Sequence, residues 1–562
     1  MNAELLLEQY ERIAEAPDAI ARLRRFILDL AVRGRLVEQN PNDEPASQLL
    51  RTFHAERKVR VANKEIRNPK GPDGLEGHPF DVPESWIWLP LGETGNIFSG
   101  NSINESVRDR LSKTENGRPF IATKDVGYGL AALNYDNGLL VQETDATFKA
   151  ARPNTPLICS EGGSAGRKIG LCDRSICFGN KLIANEPWSK ISPKYVLYVY
   201  LSSFFFEEFR TRMTGIIGGI SLNRFVELPF PLPPFDEQQR IVAKVDELMA
   251  LCDQLETTQV DREIGRSKFT LSTFVKLNEP DPETFASDAS FALEHLEPLT
   301  KRTDQIKQLR QTILNLAVRG KLVKQSADDE PAASLMIELA KARSKNKQST
   351  VGNMANAPFT PPSGWVWASI RDTLECNRDI SYGVIKLGPE PKSGGIPTLR
   401  CSDVRPGYID LSGVRTVDPS IESDYSRTRL QGGEILINIR GTLGGVAHVP
   451  AALRGYNVAR EVAVIPISER LSSQFMVYLL LSSFFWNMIE ENLRGIAYKG
   501  LNLGILREFP IPIPPSAEQQ RIVATVDELM ALCDQLEASL VEGEQTRSKL
   551  LEAMLYEALE PV

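Results

Sequence analysis

The sequence predicts an α+β fold: two α/β globular heads separated by an antiparallel helical coiled-coil spacer, arranged as a pseudo-twofold internal repeat. Two duplications carry the expectation. Glu237–Glu256, EQQRIVAKVDELMALCDQLE, recurs at Glu518–Glu537 as EQQRIVATVDELMALCDQLE, and across Glu227–Glu256 and Glu508–Glu537 24 of 30 positions agree at an offset of 281. Arg24–Leu50 and Arg310–Met336 match at 16 of 27 positions, at an offset of 286. Between these landmarks two long stretches diverge strongly, as one frame carrying two unlike heads would.

The first repeated block begins in a helix. Ile20, Leu23, Ile27 and Leu30 lie on one helical face, echoed by Ile306, Leu309, Ile313 and Leu316. Gly34 and Gly320 are natural terminators, because glycine adopts the left-handed conformation without a Cβ penalty. Arg33 and Arg319 then place cations on the negative end of the helix dipole. The Asp-Glu-Pro that follows turns into a further helix, and polar linkers come next, near 60–80 and 341–358.

Each linker ends at a tryptophan doublet, Trp86-Ile-Trp88 or Trp365-Val-Trp367, which opens the first strand of a head. Two tryptophans could stack on bases; anchoring a core is the reading preferred here. The heads, about 81–235 and 358–515, contain short runs such as Pro119–Val126 and Pro397–Val404, broken by glycine. Both contain Leu-Ser-Ser-Phe-Phe inside an apolar run, Tyr195–Phe206 or Phe475–Trp486, expected to be a buried helix. These runs are about 12 residues, short of the ~20 a membrane span needs. PFPLPP and PIPIPP close the heads; alternate prolines suit an edge strand.

The second block is the longer helix. Ile241, Val245, Leu248, Cys252 and Leu255 are spaced 4, 3, 4, 3, as are Ile522, Val526, Leu529, Cys533 and Leu536. That is a heptad stripe, and the economical partner for each copy is the other copy. Pro233-Pro234 and Pro514-Pro515 punctuate the start, with Asp236 and Gln239, or Ser516 and Gln519, placed to form a capping box. The stretch 258–302 reads as a loosely structured connection.

Composition excludes some classes and is neutral on others. The 562 residues, 42% hydrophobic and 25% charged, suit a soluble protein of several domains, and the acidic N-terminus lacks a signal pattern. Seven scattered cysteines without a CxxC pair suit a reducing cytoplasm. Cys159, Cys172 and Cys177 have no histidine near them in sequence and read as core thiols, so no metal site is expected. The net charge of −8 argues against a DNA binder, but it is uneven: residues 80–235 balance at 0 and 358–513 at +1.

Catalytic motifs fail on inspection. Leu232-Pro-Pro-Phe235 imitates the Asn-Pro-Pro-aromatic signature of amino-methyltransferases, but leucine offers no oxygen to hold a target amine. Gly163-Ser-Ala-Gly-Arg-Lys168 imitates a phosphate loop with the wrong spacing. Gly-[Ser/Thr]-x-Gly nevertheless recurs at Gly163–Gly166 and Gly441–Gly444, a tight turn beside cations. Such a turn can meet phosphates or base edges, or can be an ordinary hairpin. No catalytic residue is expected.

The two Leu-Ala-Val-Arg-Gly-[Arg/Lys]-Leu-Val blocks, the two tryptophan doublets and the two Pro-Pro-x-x-Glu-Gln-Gln-Arg-Ile-Val-Ala helices resemble the specificity (S) subunit of a type I restriction–modification system, most like its type IB branch. The resemblance implies two target-recognition domains, each reading half of a bipartite double-stranded DNA site. It implies two modification (M) subunits that carry S-adenosylmethionine, and restriction (R) subunits that use ATP and Mg2+, with no cofactor on this chain. The expected division is 1–80 helical region and linker, 81–235 first recognition domain, 236–357 central helical region and linker, 358–515 second recognition domain, and 516–562 C-terminal helical region. The DNA-binding candidates are Lys124, Ser164, Arg167, Lys168 and Lys181 in the first head, and Arg400, Arg440, Thr442, Asn457 and Arg460 in the second. A 25-residue spacer helix would be about 37 Å long, close to the ~34 Å turn of DNA between half-sites. The alternatives are a stand-alone DNA methyltransferase and a coiled-coil scaffold without DNA contact.

Overall fold

A computed structural model describes residues 16, 18–67, 75, 77–215, 218–343, 357–493 and 500–559. The chain divides into two compact units, Met1–Arg262 with Glu544–Val562, and Glu263–Gly543. The two units repeat one plan.

In the first unit, helix α1 (Ala19–Val32) buries Ile20, Ile27, Leu28 and Ala31, and ends where Gly34 takes φ 68° against Pro83 and Trp86. Strand β1 (Ile87–Pro90) pairs antiparallel with β10 (Pro229–Leu232), Trp88 opposite Pro231, so the proline-alternating segment is half of a two-stranded ribbon. Inside the head, β2 (Gly95–Ser99), β6 (Pro156–Cys159), β7 (Ile169–Leu171) and β9 (Leu182–Pro187) form a sheet ordered β2-β9-β6-β7. A second sheet, β4-β3-β8-β5, uses β3 (Arg118–Ile121), β4 (Leu140–Val141), β5 (Ala150–Ala151) and β8 (Ile176–Phe178), with β3 parallel to β8. Ile121, Leu157, Ile176 and Phe178 join the sheets in one core.

The apolar run becomes two helices, not one. Helices α2 (Pro193–Leu201) and α3 (Ser203–Thr211) break at Ser202, whose extended backbone ends the first while its hydroxyl accepts from Phe205 N and caps the second. The long helix α4 (Phe235–Asn278) follows, starting directly after Pro233-Pro234.

The second unit repeats this with α5 (Thr303–Val318), strands β11 (Val366–Ser369) and β21 (Pro510–Ile513) as the closing ribbon, α6 (Ser473–Leu481) and α7 (Ser483–Leu493) broken at Ser482, and α8 (Ser516–Leu559). Its head has the sheet β12-β20-β17-β18, from β12 (Ser381–Tyr382), β17 (Ile435–Asn438), β18 (Val446–His448) and β20 (Val462–Ile465). It also has β16-β13-β19, from β13 (Ile396–Leu399), β16 (Arg415–Val417) and β19 (Asn457–Val458), and a hairpin of β14 (Val404–Arg405) with β15 (Tyr408–Ile409).

Four expectations need correction. The heptad stripes do not take each other as the core partner: Ile241, Val245 and Cys252 join a core with Ile20 and Ile27 of α1, and Ile522, Val526 and Cys533 join one with Ile306 and Ile313 of α5. Leu248, Leu255, Leu529 and Leu536 pack at the edges of those cores. Arg24 meets Asp253 and Glu256 while Gln39 meets Glu237, so α1 runs antiparallel to α4. The tail of α8 also lies on α1, through Leu551, Met554 and Leu555 against Ala19 and Phe26.

The stretch 258–302 is mostly helical. Helix α4 runs to Asn278, because Phe274 and Leu277 keep an apolar face that packs with Ala292 and Leu299. Both long helices have 44 residues, about 66 Å at roughly 1.5 Å per residue, so the length match drawn for 25 residues no longer follows. The capping boxes do not form as expected. Asp236 and Ser516 lie inside the helices, and the Gln519 amide is used elsewhere, on Ser472 N and Pro514 O. The polar linkers fall partly on 68–74, 76 and 344–356, outside the described residues. No helix among the described residues is long and apolar enough to cross a membrane.

Candidate nucleic-acid interface

The Glu-Gln-Gln-Arg letters recur because their side chains clamp the head to the helices. Glu237 accepts the Trp86 indole N–H at 2.9 Å and the Gln39 amide at 2.6 Å; Glu518 accepts Trp365 at 2.9 Å and Gln325 at 3.0 Å. Gln238 accepts Ser192 N at 2.8 Å and donates to Pro233 O at 3.0 Å; Gln519 does the same with Ser472 N at 2.9 Å and Pro514 O at 2.9 Å. Arg240 reaches Asp43 at 2.7 Å, and Arg521 reaches Asp329 at 2.5 Å. Burial pushes the Glu237 carboxyl up, and the hydrogen bonds from Gln39 and Trp86 pull it back toward the charged form. Both tryptophan doublets are anchors: Trp88 and Trp367 donate to Phe80 O and Phe359 O.

The heads place an aspartate-capped turn beside the glycine turn. Asp125 accepts Ala122 N at 2.9 Å, and Asp403 accepts Arg400 N at 2.8 Å. In the first head Gly162 and Gly166 take φ 81° and 69° between β6 and β7, in the second Gly441 and Gly444 take 74° and 96° between β17 and β18. Both are hairpin turns that only glycine adopts without strain.

In the first head the structure brings three candidates to one place. Lys168 Nζ donates to Thr123 O at 3.1 Å, beside exposed Lys124, and sits 5.4 Å from the centroid of the Tyr128 ring. Ser164 Oγ lies 3.5 Å from Tyr128 OH. Arg167 is exposed at the turn and its guanidinium packs over Phe206 at 5.5 Å. Lys181 is exposed and its carbonyl accepts from Ser160 N, at the base of the same hairpin.

In the second head the candidates divide. Thr442, Arg440 and Arg460 are exposed, with Arg440 N donating to Glu461 O and Arg460 Nε 3.7 Å from Glu461 Oε1. Thr442 O accepts the Asn438 amide, which also bonds Cys401 O and Val404 O and so ties the two turns together. Arg400 is committed within the fold, to Asp403 and to Gly413 O at 2.7 Å. Asn457 is a correction: it is fully buried, bonded to Thr428, Glu422 and Tyr425 O, and has no surface to offer a base. Its polar side chain solves an internal packing problem.

Sequence reasoning missed the two most exposed aromatics among the described residues of the heads. Tyr128 and Tyr408 are each 61% exposed. Asp125-Val-Gly-Tyr128 and Asp403-Val-Arg-Pro-Gly-Tyr408 both set a tyrosine next to glycine just past a strand-like run, a signal that was available. Among the described residues no group of three or more His, Cys, Asp or Glu side chains is placed to hold a metal ion.

Two unlike heads, each clamped by matching bonds to its own copy of the repeated helices, define a duplicated recognition protein. Comparison with known proteins gives the family: the model of the type I restriction modification DNA specificity domain matches residues 83–266 and again 363–542. The chain belongs to that family and carries two such domains. As a member it is a DNA specificity subunit and not an enzyme. Curated relatives include the type I restriction enzyme EcoEI specificity subunit of Escherichia coli, 28% identical over 96% of this chain and 94% of the relative. The EcoAI specificity subunit of the same organism is also 28% identical, over 96% of this chain and 94% of its own length. Among solved structures, the HsdS subunit from Thermoanaerobacter tengcongensis is 17% identical, covering 86% of this chain and 99% of that one at a TM-score of 0.43.

Proposed function

We propose that each head reads one half of a bipartite double-stranded DNA site through the major groove, and that α4 and α8 set the unread gap between the halves. One observation carries this reading: a frame repeated bond for bond holds two heads whose surfaces and interiors differ. Lys124, Ser164, Arg167, Lys168 and Lys181 serve the first half-site, and Arg440, Thr442 and Arg460 the second; Arg400 supports its turn from within. The chain works with two modification subunits, which bring S-adenosylmethionine to an adenine, and with restriction subunits that use ATP and Mg2+, in the cytoplasm. Phosphate neutralisation dominates DNA affinity, and partner subunits can supply the cations that a chain of net charge −8 lacks. The resemblance to the type IB branch is carried by the same motifs.

The test is to map methylated adenines in a host carrying the chain and its modification partner. One heptad inserted after Arg262 in α4 and one after Gly543 in α8 leaves the contacts inside each unit intact. Seven residues add about 10 Å, so the gap lengthens by about 3 base pairs while both half-sites stay the same. An unchanged gap refutes the spacer role. A motif without two parts refutes the reading as a whole.

A further inference from the structure

Tyr128 and Tyr408 are each 61% exposed, the highest values among the described aromatics of the heads, with Tyr382 next at 36%. A single exposed tyrosine needs no explanation. A tyrosine that follows a glycine just past the aspartate-capped turn and stands beside a cation in both heads does. Each tyrosine follows the Asp-Val step of the aspartate-capped turn, Tyr128 in the connection to the next strand and Tyr408 as the first residue of β15, alongside the strand that leaves the glycine turn. Tyr128 bridges Lys168, two residues past Gly166; in the second head Pro406 bridges Val446, two residues past Gly444, and Gly407 N donates to Val446 O. The backbones that achieve this differ, an isolated antiparallel bridge in one head and the β14–β15 hairpin in the other.

The neighbours are cationic in both heads and also hydroxylic in the first. Lys168 Nζ is 5.4 Å from the Tyr128 ring centroid, Ser164 Oγ is 3.5 Å from its hydroxyl, and Lys124 is exposed next to the carbonyl that holds Lys168. Tyr408 sits directly across the hairpin from exposed Arg405. Asp410, two residues on, has its carboxylate taken by Ser412, which together with Arg405 holds it below the usual range. An exposed aromatic ring beside a cation that can meet phosphate is a surface for a base edge.

We infer that Tyr128 and Tyr408 are specificity-determining residues, one per half-site, whose rings make an apolar contact with the C5-methyl edge of a thymine in the major groove. This rests on the two-part DNA reading above. The experiment maps adenine methylation in genomic DNA of a host carrying the full chain and its modification partner, for wild type, Tyr128→Ala, Tyr408→Ala and the two Tyr→Phe forms. Tyr128→Ala relaxes discrimination at one A·T position of one half-site, roughly tenfold to a hundredfold, and Tyr408→Ala does so in the other half-site only. Each Tyr→Phe form keeps the ring and keeps the wild-type motif. The alanine forms melt at the wild-type temperature, since neither ring is part of a core.

Motifs unchanged in both alanine variants overturn the assignment, as does a uniform loss of methylation at every site or an early-melting variant that loses both half-sites together. Relaxation confined to a G·C pair also overturns it. A wild-type complex that leaves no two-part motif brings down the DNA reading itself, and the two failures are thereby distinguished.

Discussion

The two units agree in their frames and part company inside their heads. The parallel pairing of β3 with β8 sets Cys177 opposite Phe120; that of β13 with β19 sets Asn457 opposite Thr398. Cys177 is buried among Leu111, Phe120, Leu139 and Val141, where burial pushes its thiol up to about 11. Asn457 is just as buried, yet its oxygen accepts from Thr428 and Val458 N while its amide donates to Glu422 and Tyr425 O. One topological position thus takes a thiol in one head and an amide in the other. In the frame, by contrast, Glu237 and Glu518 bind the same tryptophan and glutamine partners. A position inside a head answers only to that head's own polar groups. A position in the frame answers to several separate segments at once, and few residues satisfy them all.

The largest effect expected tests the sameness of the frames. Glu237→Ala and Glu518→Ala each strand a buried indole N–H and an amide, removing two hydrogen bonds to a carboxylate. Each costs its own unit about 3–5 kcal/mol. Hydrogen exchange read separately on the β1–β10 and β11–β21 ribbons checks this, and losses that differ by more than about 1 kcal/mol would break the equivalence.

Next comes the difference between the heads. The reciprocal exchanges Cys177→Asn and Asn457→Cys put each residue where its counterpart works, and each destabilises its head by about 2–3 kcal/mol, one by burying an unpaired amide and the other by removing the buried bonds of Asn457 to Glu422, Thr428 and the Tyr425 and Val458 backbone. Denaturant unfolding of the single variants measures it; neutral exchanges would mean that the interiors are interchangeable.

A smaller contrast is in acid. The Arg429 hydrogen bond holds the Glu422 carboxyl below its ordinary 4.5, with further help from Asn457 and against the pull of burial. A depressed folded value means the unfolded chain binds the proton more readily, so this stabilisation is present above pH 4.5 and fades as pH falls through the folded value. Protection of the β13–β19 amides, corrected for their intrinsic exchange rate, should therefore fall on acidification below about 4.5, and Glu422→Gln should flatten that response. Smallest of all, Arg240→Ala and Arg521→Ala remove half-exposed ion pairs to Asp43 and Asp329. Each should cost under about 1 kcal/mol, equally in the two units and less in high salt.

Much of this was legible beforehand. The heptad spacing at Ile241–Leu255 located a buried stripe, and Gly34 and Gly320 marked helix ends that the positive φ values match. The stripe did not name its partner, because α1 and α5 offer apolar faces of the same spacing as the other copy would. The glycine turns led to Ser164 and Lys168, since a hairpin carries its flanking residues with it. The role of Asn457 was hidden: its partners Glu422 and Thr428 lie 35 and 29 residues earlier, and no local pattern distinguishes an amide facing DNA from one facing inward.

By itself the sequence determined the duplication, the helix ends at Gly34 and Gly320, the helix starts after Pro233-Pro234 and Pro514-Pro515, and the two-headed order of the chain, because periodicity and glycine or proline punctuation act within a few residues. Only the tertiary structure decided which face met which, that Glu237 and Glu518 clamp Trp86 and Trp365 across some 150 residues, and that an asparagine is core while two tyrosines are surface. Those outcomes depend on which distant surfaces are complementary and which polar groups find partners on burial, and the chain settles both only once it has folded.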